Sequence, residues 1–201
     1  MTGIVDYGTG NLRSVQKAFE FLGERAEISS ETSALDTCDR LILPGVGSFG
    51  QGMAALRARG LDIYVKTRAK DTPVLGICLG MQFLLEQSFE DGEFAGLGLI
   101  PGQVVRFIEG KIPQIGWNEV HGLKTPLFEG IAEGTRFYFV HSYRADCADE
   151  FACAKTEYYI DYPSAIWRGN VFGVQFHPEK SGEAGLRLLK NFCKMSSHFF
   201  F

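Results

Sequence analysis

Nothing in this 201-residue sequence is arranged as a disulfide or zinc framework: its five cysteines are odd in number and never spaced C-x-x-C. Cys38, Cys78, Cys147, Cys153 and Cys193 are therefore read as reduced thiols, each by default a small buried apolar residue. Basic charge is not in excess either. Twenty Lys and Arg stand against 24 Asp and Glu, a formal net charge of −4, which excludes a nucleic-acid partner held by bulk charge. Long apolar runs are missing. The longest charge-free stretch, 41–56, contains four Gly and a Pro and falls short of the about 20 apolar residues a bilayer crossing needs. Asp6 comes early, with no basic start or apolar h-region before it, so the expectation is a cytoplasmic protein without a secretory signal or a membrane partner. Proline is sparse at 7 residues, and there is no Pro/Ser-rich linker, internal repeat or low-complexity tract. One domain over 1–201 is expected.

What is present begins with alternation. Apolar runs at 3–6, 40–43 and 73–77 read as strands, and between them lie helical patterns. The first helix places Leu12, Val15, Phe19 and Leu22 on one face, with Asn11 able to cap its start and Gly23 to stop it. A second helix is expected over 53–59, ending at Gly60, and a third from Leu79 to about Gln87. Strand and helix in this order predict a mostly parallel central sheet flanked by helices, an α/β fold. From Val104 the texture shifts to short strands at 104–107, 117–120 and 137–140, then a hairpin joining 165–168 to 171–175 across Gly169-Asn170. These are expected as antiparallel additions to the same, now mixed, sheet. A closing helix over 182–194 would turn Leu186, Leu189 and Phe192 inward. The end, His198-Phe199-Phe200-Phe201, is unusually apolar.

Three stretches carry chemistry. Gly76-Ile77-Cys78-Leu79-Gly80 has the form G-x-C-x-G at a strand-to-helix junction, a nucleophile elbow with sulfur in place of oxygen. The flanking glycines would relieve a sharp turn, the following helix start would favour a thiolate, and the Leu79 N–H would face a developing oxyanion. A buried structural cysteine beside two glycines would give the same string. Phe176-His177-Pro178-Glu179 holds an imidazole and a carboxylate two residues apart on a backbone that proline keeps extended. Glu179 can take the Nδ1 proton and leave Nε2 as a base, although a solvated surface pair has the same spelling. His121, His141 and His198 have no acid at a useful offset. Pro44-Gly45-Val46-Gly47, at the end of a predicted parallel strand, can offer a second oxyanion donor or be an ordinary tight turn. It lacks the lysine of a Walker loop and the spacing of a dinucleotide fingerprint.

Taken together, the elbow cysteine, the downstream H-P-E and the glycine-rich strand end resemble the class I, triad-type glutamine amidotransferases. The match runs the length of the chain and includes Asp6-Tyr7-Gly8-Thr9-Gly10-Asn11, Cys78-Leu79-Gly80-Met81-Gln82, Gly116-Trp117-Asn118, Phe139-Val140-His141-Ser142-Tyr143 and Phe176-His177-Pro178-Glu179-Lys180-Ser181. It is most similar to the branch that serves histidine biosynthesis as a separate glutaminase subunit. The resemblance implies that Cys78 attacks the side-chain amide of glutamine, His177 shuttles the proton and Glu179 orients the imidazole. It implies an oxyanion hole from Leu79 and from a flipped Val46 or Gly47 N–H, and glutamine contacts from Gly47, Gln82, Glu90, Ser142 and Tyr143. Asn11, Trp117, Tyr138 and Lys180 would face a (β/α)₈ cyclase subunit that receives the ammonia, forming a heterodimer. No cofactor and no metal are implied. Two readings stand beside it: a paralogous glutaminase feeding surface-sugar amidation or pyridoxal phosphate synthesis, and a stand-alone cysteine hydrolase, which would not need Gln82 or Tyr143. The Trp117 and Lys180 neighbourhoods favour the histidine pathway.

Overall fold

A computed structural model describes residues 1–195; the Phe-rich end and His198 lie outside the described residues. The first half runs β1 (Thr2–Val5), α1 (Leu12–Phe21), β2 (Ala26–Ser29), α2 (Thr32–Leu35), β3 (Arg40–Gly45), α3 (Phe49–Ala58), α4 (Leu61–Arg68), β4 (Val74–Cys78) and α5 (Leu79–Phe83). The second half adds β5 (Gln87–Ser88), β6 (Phe94–Ala95), β7 (Gln103–Arg106), β8 (Gln114–Val120), β9 (Thr135–His141), β10 (Tyr143–Asp146), β11 (Ala152–Tyr158), β12 (Ile160–Arg168), β13 (Val171–Val174) and α6 (Gly182–Cys193). A single 3₁₀ turn, Pro178–Lys180, joins β13 to α6.

Seven strands form the main sheet in the order β11-β12-β13-β4-β3-β1-β2. From β13 to β2 all neighbours are parallel, and β12 and β11 extend the β13 side antiparallel. Period-2 alternation sorts the strand side chains onto two faces. Ile4, Ile42, Leu75 and Ile77 face α1 and α6 through Val15, Phe19, Leu188, Leu189 and Phe192. Val5, Leu41, Leu43 and Val74 meet Leu35, Phe49, Met53, Leu61 and Phe83 of α2 to α5 on the other face. Both faces of these strands are covered, which is why they read as continuous apolar runs.

Several expectations need correction. The strands at 104–107, 117–120 and 137–140 do not extend the main sheet. β7 joins β10, β5 and β6 in a four-stranded sheet, and β8 pairs with β9 alone. The alternating burial of β8 and β9 explains this: one side packs Val120, Phe137 and Phe139 into the core, so the ribbon lies over the sheet as a second layer. The helix expected to run to Gln87 stops at Phe83, because Gln87–Ser88 is taken as a strand beside β7. Asn11 occupies the N-cap of α1 but makes no side-chain capping bond. In α6 the inward positions are Leu188, Leu189 and Phe192, with Leu186 half-buried.

Candidate active site

β3, β4 and β13 are adjacent and parallel, so their carboxyl ends open into one crevice, the usual ligand position in open α/β sheets. In register, Gly45 of β3 lies level with Cys78 of β4, and Val174 of β13 lies level with Ile77. Three segments remote in sequence thereby deliver a glycine-rich turn, a thiol and an imidazole to one edge.

Cys78 ends β4 with φ 56° and ψ −112°, a left-handed backbone that non-glycine residues rarely adopt. Its neighbours leave no room for side chains. A Cβ on Gly76 would lie 2.5 Å from the Gly80 oxygen, and one on Gly80 would lie 1.8 Å from the Leu43 oxygen. The elbow is tight because two backbones pass through the space a methyl group would occupy. α5 is five residues long, so any help to a thiolate comes from first-turn N–H groups, Leu79 among them, and not from a long helix dipole.

His177 directs Nδ1 to Glu179 Oε1 at 2.8 Å, and both side chains are almost fully shielded, 3% and 1% exposed. Burial disfavours a proton on this imidazole, but the Cys78 sulfur and the Glu179 carboxylate outweigh it and lift the pKa from 6.5 to about 10. Ser181, given no role by the sequence reading, ties the turn down: its Oγ accepts from the Tyr138 N–H at 3.0 Å and donates to the His177 carbonyl at 2.6 Å. The His177 N–H in turn donates to the Tyr138 carbonyl at 2.9 Å.

A cleft of about 380 Å³ is lined by Val46, Gly47, Cys78, Leu79, Gln82, Glu90, Ser142, Tyr143, His177 and Lys180, with Pro113, Val140 and His141 completing it. Ten of the sequence-predicted residues therefore converge on one cavity, with Glu179 directly behind His177. Gly47 has φ +92° and Val46 is 42% exposed. Glu90 Oε2 accepts the Phe49 N–H at 2.6 Å at the start of α3. Burial raises its carboxyl pKa against the Phe49 bond, and Asp91 adds to the rise.

The remaining expected residues lie outside the cleft. Tyr138 packs edge-on to Trp117, ring centroids 6.0 Å apart, and the Lys180 Nζ stands 5.9 Å from the centre of the Tyr138 ring. Trp117 is 53% exposed. Asn11 heads α1, whose body neighbours the 178–180 turn. His141 is drawn into the site after all. Its Nδ1 meets the Tyr143 carbonyl at 2.8 Å and its Nε2 meets Tyr162 Oη at 3.2 Å, while burial pulls its pKa down to about 4. His121 also has an acid, Asp161 Oδ1 at 3.0 Å, supplied by β12 and so invisible as a local offset.

The family described as glutamine amidotransferase class-I matches residues 4–195. The chain belongs to the class-I glutamine amidotransferases. Within that family it is 45% identical over 195 residues to the imidazole glycerol phosphate synthase subunit HisH of Bacillus cereus, covering 96% of this chain and 93% of the relative. It is 48% identical over 197 residues to the protein of the same name from Methanocaldococcus jannaschii, covering 97% and 100%. Among solved structures, PurLQS from Thermotoga maritima superposes with a TM-score of 0.79 at 22% identity, covering 96% of each chain, a likeness of fold. The mixed and mostly parallel sheet flanked by helices that the strand pattern predicts is observed, and it is the fold that the resemblance to the amidotransferases implies.

Proposed function

We propose that this chain is the glutaminase subunit of an imidazole glycerol phosphate synthase. It hydrolyses glutamine to glutamate and ammonia and passes the ammonia to a (β/α)₈ cyclase partner in the cytoplasm, acting as one amidotransferase domain over residues 1–201. The observation that carries the reading is the buried His177–Glu179 pair beside a thiol on a strained elbow, because a base oriented by an acid next to a nucleophile is what acyl transfer requires.

Cys78 Sγ, its proton taken by His177, attacks the side-chain carbonyl carbon of glutamine. The carbonyl oxygen becomes an oxyanion that the Leu79 N–H and a Val46 or Gly47 N–H receive. Collapse breaks the C–N bond, His177 returns its proton to the leaving nitrogen, and ammonia departs from a thioester. Water then attacks the thioester carbon with His177 as base, and the C–S bond breaks to give glutamate and the free thiol. Glu179 holds the imidazole and offsets its charge throughout. Gly47, Gln82, Glu90, Ser142 and Tyr143 line the space for glutamine, Glu90 offering a carboxylate to its ammonium. Exposed Trp117 and Lys180, with half-buried Asn11 and Tyr138, face the partner.

Replacing Cys78 by Ala should abolish glutamine-dependent turnover of the assembled synthase while leaving turnover with added ammonium salt intact, since the acceptor chemistry lies on the other chain. Measuring both reactions in the reconstituted complex decides the matter. Full glutaminase activity in C78A would remove Cys78 from the mechanism. Activity without any cyclase subunit at the rate of the complex would favour a stand-alone hydrolase.

A further inference from the structure

Behind the elbow runs a buried string of amides whose orientation is fixed from one point, the main-chain carbonyl of Tyr143. A carbonyl oxygen only accepts, so the Gln82 amide atom 3.0 Å from it is Nε2. That same Nε2 lies 3.1 Å from a side-chain atom of Gln175, which must therefore be the acceptor, Oε1. The Gln175 amide is then set with its other end, Nε2, 3.8 Å from Cys78 Sγ. The His141 Nδ1–H reaches the same Tyr143 carbonyl, so that oxygen is held from two sides.

The strand register places Gln175 where this contact is required. Val174 pairs with Ile77, so the residue after β13 comes level with Cys78 on the neighbouring strand. Gln175 is fully buried and interrupts an otherwise apolar run, Val171-Phe172-Gly173-Val174-Gln175-Phe176. A polar side chain at such a place is costly unless its bonds are satisfied, and one of its two amide ends is spent on the nucleophile. Besides His177, Cys78 thus has two polar neighbours of opposite kind: the Val140 carbonyl, 3.9 Å from Sγ, can accept from the thiol, and the Gln175 Nε2 can donate to the sulfur.

We infer that Gln175 is a positioning residue for the nucleophile, its amide donating to Cys78 Sγ, fixing the sulfur's rotamer and favouring its anionic form. For catalysis this rests on the glutaminase reading; for the sulfur itself it stands on the geometry alone. Gln175→Met and Gln175→Leu each remove the donor to sulfur together with the bond from Gln82, and neither leaves a charge or an O–H beside the thiol. Carboxamidomethylation of Cys78 in the full-length chain by iodoacetamide, followed across pH by mass spectrometry of the Cys78 peptide, reads the sulfur directly. In both variants the pH of half-maximal reaction should rise by about one unit, so that alkylation below the midpoint slows about tenfold. In the complex, kcat for glutamine should fall about tenfold with KM little changed, as for an interaction made with the reacting atom. An unchanged alkylation profile in either folded variant overturns the inference, and the shorter Leu variant carries the test where the Met variant does not fold. Absence of glutaminase activity in the wild-type complex would overturn the proposed function instead, with the alkylation profile still deciding the role of Gln175.

Discussion

At the scale of single residues the two buried histidines are pushed in opposite directions. His177 is raised to about 10 because Cys78 and Glu179 outweigh burial, so its imidazolium stabilises the fold fully below the unfolded value of about 6.5 and that contribution is lost as pH climbs through about 10. His141 is lowered to about 4 by burial, opposed by its bond to Tyr143. Between about 6.5 and 4 the unfolded chain takes up a proton there that the folded chain refuses, so stability falls with acidification by about 3 kcal/mol from this group. His141→Asn should flatten that acid limb, read as urea midpoints from pH 7 down to 4; an unaltered slope would remove His141 as its source. For activity, His177→Ala should cost about 10²–10⁴-fold in kcat, and Glu179→Gln less, because an amide can still orient the ring through its oxygen. Combining His177→Ala with Cys78→Ala should cost little beyond either change alone, since the pair acts as a unit; additive losses would mean they do not cooperate. Cys78, His177 and Glu179 could be read from sequence because each sits in a short contiguous string. Gln175 and Ser181 could not, since their partners come from β4, α5 and β9. The available signal for Gln175 was one polar residue inside a buried apolar run.

Among the elements, the 178–180 turn is placed by close approach of α6. A Cβ on Gly185 would lie 1.9 Å from the Pro178 carbonyl oxygen, so helix and turn touch backbone to backbone. Alanine ordinarily favours a helix over glycine by about 1 kcal/mol. Here the clash should reverse the sign, and Gly185→Ala should lose about 1–3 kcal/mol together with glutaminase activity, because the displaced turn carries Glu179. Denaturant midpoints and kcat measured on the same sample test both halves; an Ala variant that is more stable and equally active would show the contact to be slack. β1, β3, β4 and the 165–175 hairpin were legible because buried parallel strands are apolar throughout and Gly169-Asn170 spells the turn. β2 was not, since three of its four residues are only half-buried and the fourth is exposed. α4 was hidden by Gly60, which ends α3 and also serves as the left-handed N-cap of the next helix. Sheet membership of β7, β8 and β9 depends on which strand each one meets, and alternation within a segment carries no information about that.

For the molecule as a whole, the same turn links the interior of the site to its outer surface. Lys180, exposed, lies over Tyr138, and Tyr138 meets Trp117 edge-on, while the Tyr138 backbone is bonded to His177 and to Ser181. A partner that grips this aromatic patch acts on the segment holding the base. Gly47, at positive φ with no atom within 4 Å of a Cβ placed on it, leaves the 44–47 turn, the proposed oxyanion donor, room to change peptide orientation. Glutaminase activity should accordingly be low in the isolated chain and rise at least about 10²-fold with the ligand-bound cyclase, the value of one oxyanion donor. Lys180→Ala should reduce that stimulation without altering the circular dichroism spectrum. Equal rates with and without the cyclase at saturating glutamine would refute partner gating.

The insertion of β13 between β4 and β12 also has a consequence for biosynthesis on the ribosome. When β4 and its elbow have left the exit tunnel, β3, itself joined to β1 and through it to β2, can already pair with one side of β4, but the other side stays an unpaired edge until residues 171–174 are made. Such long-range parallel pairing is slow and leaves intermediates open to association. Throughout that interval Cys78 has neither His177 nor Gln175 beside it, and the site proposed above is completed in the step that closes the sheet.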